Sequence, residues 1–201
     1  MVSPHQALDR LRSGNQRFTN QNSGRDIIAA SASDRLGQVA GNQAPFAVIL
    51  GCADSRVPPE IVFDQGLGDL FVVRVAGNIA TAAEIGSIEF AVSKFATPLV
   101  VVLGHTSCGA IAATIDHTAS PGNRLSKGLE SIVDQISPVV AELRNEAGED
   151  DLMSRTVDAN VEATVERLTT ESEIIRDLCA TEKLLVTGAR YDLQSGRVDF
   201  L

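Results

Sequence analysis

Two short segments hold the residues of this chain that could do chemistry. Cys52-Ala53-Asp54-Ser55-Arg56 carries a thiol and an ionisable pair, and 53 positions after Cys52 the segment His105-Thr106-Ser107-Cys108-Gly109 adds an imidazole and a second thiol. Zinc favours sulfur and imidazole donors, and a catalytic zinc site keeps three protein ligands so that water can take the fourth position. Cys52, His105 and Cys108 supply three. The two-residue gap between His105 and Cys108 lets both face one ion from a tight turn, and the long interval to Cys52 suits a ligand from a separate strand. Spacing alone leaves another reading open, in which the three are unrelated and the cysteines are small buried hydrophobes.

Asp54 is the nearest candidate for a fourth ligand, and Arg56 offers it a competing two-pronged partner. Their bland alternative is a surface ion pair of little value. A carboxylate that alternates between the metal and Arg56 would leave the site shut or open, a switch in place of a staple. Two thiolates cancel the charge of a zinc ion, so water bound there is less acidic than in a three-histidine site. A carboxylate that accepts a hydrogen bond from hydroxide, held off the metal by an arginine, would orient the nucleophile. The chemistry that follows is metal-hydroxide attack on a small electrophile. Of the remaining candidates, Cys179 reads as a core thiol in an amphipathic helix, His5 as solvated on the N-terminal helix, and His117 as solvated in a polar loop.

The elements that must position these groups are legible as apolar runs. Phe46–Gly51 precedes the first segment and Leu99–Leu103 the second; such runs read as fully buried parallel strands, with ligands gathering beyond their carboxyl ends. Leu70–Val75 and Leu184–Val186 read as two more strands. Leu193-Gln194-Ser195-Gly196 reads as a hairpin turn leading to an antiparallel edge strand at Arg197–Phe200. Ser3-Pro4-His5-Gln6 and Thr81 with Glu84 mark helix starts. A short helix is expected from near Cys108, short helical pieces over Arg25–Gln43, and a helix over 126–148 broken at Ser137-Pro138. The pattern is an α/β fold: a mainly parallel sheet of four strands plus an antiparallel edge strand, flanked by helices. Leu8, Leu11 and Phe18 give the N-terminal helix an apolar stripe that fits a core helix or an arm on a partner subunit equally well.

At 201 residues the chain is expected to be one domain, with 1–44 as an N-terminal helical arm and 45–201 as the α/β core. No run reaches the roughly 18–20 apolar residues of a membrane span, and the N-terminus lacks the apolar stretch of a secretory signal. A reducing cytoplasm is therefore the expected location, with thiols as ligands or core residues in preference to disulfides. A net charge of −9 argues against nucleic acid and against large anionic substrates, leaving small or neutral ones.

At these residues the sequence resembles the β-class carbonic anhydrases of bacterial type. The resemblance is carried by CADSRVP (Cys52 to Pro58), FVVRVAGN (Phe71 to Asn78), GSIEFAV (Gly86 to Val92), VLGHTSCGA (Val102 to Ala110) and GARYDLQSG (Gly188 to Gly196), and it spans nearly the whole chain. It implies a zinc enzyme, one ion per chain, that interconverts carbon dioxide and bicarbonate and assembles as a homodimer or dimer of dimers through its N-terminal helices and sheet edge. On that resemblance Cys52, His105 and Cys108 are the metal ligands, and Asp54 and Arg56 the catalytic dyad, with Asp54 able to close the site as a fourth ligand. Gln43 matches a glutamine that in plant-like members reaches the neighbouring subunit's site. Phe71 and Phe90 match apolar pocket positions, and Gly109 a backbone donor near bound anion. Some bacterial members also have a non-catalytic bicarbonate pocket built on a tryptophan, an arginine and a tyrosine. Here Arg74 and Tyr191 match, but Ile49 stands at the tryptophan position, which puts that pocket in doubt. Ala76 stands where plant-like members often carry valine.

Two other functions fit part of the pattern. Hydrolysis of carbon disulfide or carbonyl sulfide on the same scaffold would use the same ligands and dyad. A non-enzymatic zinc module would prefer four firm ligands, which the open fourth position and the Asp54-Arg56 pair argue against. Zinc deaminases need H-x-E and C-x-x-C, and neither is present.

Overall fold

A computed structural model of the chain describes residues 2–20, 37, 39–120, 124–146 and 151–201. Four parallel strands, β1 (Ala47–Gly51), β2 (Leu70–Arg74), β3 (Leu99–His105) and β4 (Leu185–Tyr191), and an antiparallel fifth, β5 (Val198–Phe200), form a sheet of order β2-β1-β3-β4-β5. Every residue of β1 and β3 is buried, which is why those two segments read as unbroken apolar runs. The chain leaves β1 for β2 on one side and then crosses to β3 on the other. The carboxyl ends of β1 and β3 therefore flank the point where strand order reverses, the crevice in which open α/β sheets bind ligands. Gly51 pairs with Leu103, so Cys52 and His105 emerge side by side there.

Helices cover both faces. On one face α1 (Pro4–Thr19) and α2 (Pro59–Val62) pack Ala7, Leu11, Val62 and the neighbouring Phe63 against Ile49, Val101 and Leu103. On the other, α3 (Ala82–Lys94), α6 (Leu152–Glu171) and α7 (Glu173–Ala180) set Ile88, Val92, Val161, Leu168 and Ile175 against Val48, Leu50, Val100 and Val102. A third cluster joins α4 (Gly109–Ala119), α5 (Lys127–Glu146) and a 3₁₀ turn (Ala76–Asn78) around Cys52 and Cys108, through Ile79, Ile111, Ile136 and Val140. The helix starts expected at Ser3 and Thr81 are both present as reciprocal capping boxes. Among the described residues no helix is long and apolar enough to cross a membrane.

Some expectations change. Helix α5 runs unbroken through Pro138. Proline removes one amide donor from the ladder, but Ile136 and Val140 are fully buried on either side of it, and their packing beneath the Cys52–Cys108 cluster outweighs that loss. His117 lies in the last turn of α4 and not in a loop. Strand β4 extends to Tyr191 and is only partly buried, because one of its neighbours is the short β5. Most of the Arg25–Gln43 stretch lies outside the described residues.

The stripe on α1 is turned onto its own chain: Ala7, Leu8 and Leu11 are buried in the first core cluster. Asn15 then ties the helix to two distant segments. Its Nδ2 donates to the Val62 and Gly196 carbonyls at 3.1 and 2.9 Å, and its Oδ1 accepts from the Val198 amide at 2.9 Å. Replacing Asn15 with alanine leaves these backbone groups without their partner. The expected cost is about 2–4 kcal/mol, read as a lower midpoint in urea unfolding at unchanged slope.

Candidate metal centre

His105 is the last residue of β3, and Ser107, in the left-handed region at φ 55°, turns the chain back so that Cys108 caps α4 facing the same point. Cys52 arrives from the end of β1. The ligand atoms of Cys52, His105 and Cys108 all lie within 4.8 Å of one another, and all three residues are buried. His105 Nδ1 sits 2.9 Å from the Thr106 carbonyl, an acceptor, so Nδ1 carries the proton and Nε2 presents a lone pair. That Nε2 is buried and has no hydrogen-bond partner among the described residues. A buried lone pair facing two sulfurs, with no donor to satisfy it, fits a cation that accepts nitrogen and sulfur ligands.

The sulfurs make the same point. Cys52 and Cys108 Sγ are 4.0 Å apart. The Cys52 thiol is drawn far down by its hydrogen bond with Cys108, against the effect of burial. The Cys108 thiol is pushed far up by the same contact and by burial. Without a cation the pair keeps one proton between its two sulfurs. Amide donors further favour negative charge on Cys52: the Asp54 and Gly77 N–H groups each point at its Sγ from 3.4 Å.

Asp54 and Arg56 stand at the mouth of the centre. Arg56 grips both carboxylate oxygens, Nε to Oδ1 at 2.9 Å and an Nη2 to Oδ2 at 2.7 Å, while its backbone N–H also donates to Oδ1. This grip holds the Asp54 carboxyl well below the usual carboxylate range. Oδ2 is 4.0 Å from His105 Nε2, so the carboxylate borders the donor set while remaining on the arginine. Gly109 opens α4 beside Cys108, where its N–H is one of the first-turn amides that the helix itself does not use.

Arg74 has a place that the sequence reading did not find. Its guanidinium donates to the carbonyls of Cys52 and Asp54 at 2.9 and 2.5 Å, so it braces the backbone that carries both side chains. Tyr191 lies beside His105 in the β3–β4 register, and Ile49 is fully buried in the middle of β1. Gly77 was also missed as a site residue, because backbone donors have no sequence signature beyond the glycine itself.

The structure does not gather the remaining candidates at the centre within one chain. Gln43 precedes β1 while Cys52 follows it, so a five-residue strand of roughly 17 Å separates them. Gln43 lines a shallow surface cavity with Val39, Gly68 and Phe95. Phe71 pairs with Val48, some 13 Å short of Cys52 along the strand, and forms an aromatic group with Phe90 and Phe95 at ring separations of 5.6–6.3 Å. Phe90 is 53% exposed there.

A sheet that reverses order beside a Cys-His-Cys donor set and an Asp-Arg pair defines the class, and residues 47–198 match the family model for carbonic anhydrase. The chain belongs to the β-carbonic anhydrase family and is an enzyme of that type, a lyase. It is 40% identical to carbonic anhydrase 2 of Mycobacterium tuberculosis, over 98% of this chain and 92% of that protein. It is 38% identical to a carbonic anhydrase of Mycolicibacterium smegmatis, over 98% and 93%. Among solved structures, a tetrameric β-carbonic anhydrase of Sordaria macrospora superposes with a TM-score of 0.75 at 26% identity, covering 94% of this chain and 96% of that one. The Coccomyxa enzyme in complex with acetazolamide gives 0.74 at 27% identity, covering 96% and 86%.

The shared proton on the sulfur pair makes metal uptake depend on pH. A cation that binds both thiolates must displace that proton, so apparent affinity should rise by about tenfold per pH unit through neutrality, with about one proton released per ion. Zinc titration of metal-free protein in buffers of different ionisation enthalpy measures the release. Uptake without proton release would mean that at least one sulfur is not a ligand.

Proposed function

We propose that this chain catalyses the reversible hydration of carbon dioxide to bicarbonate and a proton, with one zinc ion per chain held by Cys52, His105 and Cys108. The observation that carries the reading is the unpartnered His105 Nε2 facing two sulfurs, next to a carboxylate held by arginine. When bound there, zinc supplies Lewis-acid activation of water at neutral pH. The protein's own groups then orient and bind. Arg56 keeps Asp54 ionised and occupied, so the carboxylate would stay off an ion held by the three donors. Asp54 accepts a hydrogen bond from the attacking oxygen and so aims its lone pair at the carbon. The Gly109 N–H donates to the oxygen on which negative charge grows. The buried apolar lining around Cys52 and Cys108, from Ile79 and Ile111, suits a small nonpolar substrate.

The same reading assigns Gln43, Phe71 and Phe90 to a partner's site. They lie far from their own chain's donors, and Phe90 is the exposed member of the aromatic group beside β2, an edge strand among the described residues. An active homodimer, or a dimer of dimers, accounts for both facts, and the tetrameric Sordaria relative supports such assembly.

Arg56→Ala should keep zinc but free Asp54 to take the fourth position. Hydration should fall by about 10²–10³-fold, in the range seen when one positioned electrostatic group is removed. Lysine should restore only part of this, since it lacks the two-donor fork. Stopped-flow hydration with zinc content on the same sample decides: near-normal rates at full zinc would make Arg56 a bystander. Running carbonyl sulfide and carbon disulfide beside carbon dioxide on one preparation tests the substrate.

Gln43→Ala should lower activity with little change in unfolding midpoint, because Gln43 is exposed and its one hydrogen bond among the described residues, from the backbone N–H to the Asn42 side chain, is kept by alanine. Phe90→Asp should shift sedimentation toward monomer and lose activity with it. A monomer of full activity at assay concentration would show that each chain completes its own site.

A further inference from the structure

A metal held by two thiolates has little positive charge left to activate anything, so whatever withdraws charge from the sulfurs affects what the centre can do. One of the donors that does this, the Gly77 N–H on Cys52 Sγ, sits in a tight left-handed turn. Gly77 has φ 75° and Asn78 φ 45°, consecutive left-handed residues of the two types that take this conformation most readily, so what fixes the turn's direction is its surroundings. On one side the turn is packed so closely that a Cβ on Gly77 would lie 2.8 Å from Ile136 Cδ1 and 3.3 Å from Ala110 Cβ. The turn's own asparagine does not brace it, because the fully buried Asn78 amide has no hydrogen-bond partner among the described residues. What holds it from outside is Asn160, a buried residue of α6 that is 83 positions away in sequence and donates from Nδ2 to the Gly77 carbonyl at 2.9 Å.

We propose that Asn160 is a positioning residue of the metal centre: its amide locks the Gly77 turn so that the Gly77 N–H stays on the Cys52 sulfur and keeps that ligand a weaker electron donor. The inference rests on the assignment of Cys52 as a metal ligand. Asn160 touches neither metal nor substrate and acts through Gly77. A leucine at 160 would fill much of the same space but would not donate to the Gly77 carbonyl.

The test uses the full-length protein with cobalt(II) in place of zinc. In N160L the thiolate-to-cobalt charge-transfer band should move to longer wavelength, because a sulfur that loses an N–H donor gives up its electron more readily. Thr156→Val is the control: Thr156 is equally buried on the same helix, and among the described residues its hydroxyl bonds only the Leu152 carbonyl, at 2.7 Å. It should leave the band unchanged. A band unmoved in N160L, or moved as far in Thr156→Val, overturns the proposal. Should N160L fail to fold, cadmium-113 in the wild type still decides. The Gly77 amide proton should show scalar coupling to the metal through the sulfur, and its absence overturns the proposal. A wild-type protein with no thiolate-to-cobalt band at all would instead refute the ligand assignment, which separates that failure from this one.

Discussion

Two sulfurs held 4.0 Å apart in a buried pocket are the constraint around which this protein is arranged. Both cannot carry charge there without a cation, and neither is drawn apart, because each is anchored by a different piece of the sheet's edge. Cys52 is pinned to the end of β1 and Cys108 to the start of α4, while His105 closes the triangle from β3. Nothing in local propensity favours that convergence. It is enforced by the burial and pairing of β1 and β3, which set Gly51 beside Leu103 so that the residues after the two strands emerge together.

Around this pocket the polar groups fall into layers with separate duties. The Thr106 carbonyl sets the tautomer of His105, so the ring's lone pair faces inward. Arg74 braces the carbonyls of Cys52 and Asp54, and Arg56 holds the Asp54 carboxylate. The Arg74 contacts join the end of β2 to the segment after β1. The centre is buried because it sits where several elements end together, with Ile79, Ile111, Ile136 and Val140 packed beneath it.

The two aromatic and polar groups far from the centre have the opposite character. Phe90 is more than half exposed, and Gln43 lies on a shallow surface cavity. An exposed aromatic side chain beside a strand that is unpaired among the described residues is the kind of surface a second copy can cover. The contrast between a buried Cys-His-Cys pocket and an exposed aromatic side chain is a property of one chain considered alone.

The Cys-His-Cys donors, the Asp54-Arg56 pair and the alternation of strands and helices were all present in the order of residues, because each depends on residue type, short motifs and apolar runs of strand length. Both capping boxes were legible for the same reason, since a cap is made within four residues. Tertiary structure decided what depends on distant partners. Helix α5 continues through Pro138 because Ile136 and Val140 are buried by other elements, which no window around the proline could reveal. Helix α1 lies on its own chain because Asn15 meets Val62, Gly196 and Val198 across 47 to 183 positions. Strand order, the bracing by Arg74 and the reach of Asn160 to Gly77 belong to the same class. A side chain's partner at long range is chosen by how the sheet orders its strands, and strand order leaves no periodic trace in the sequence.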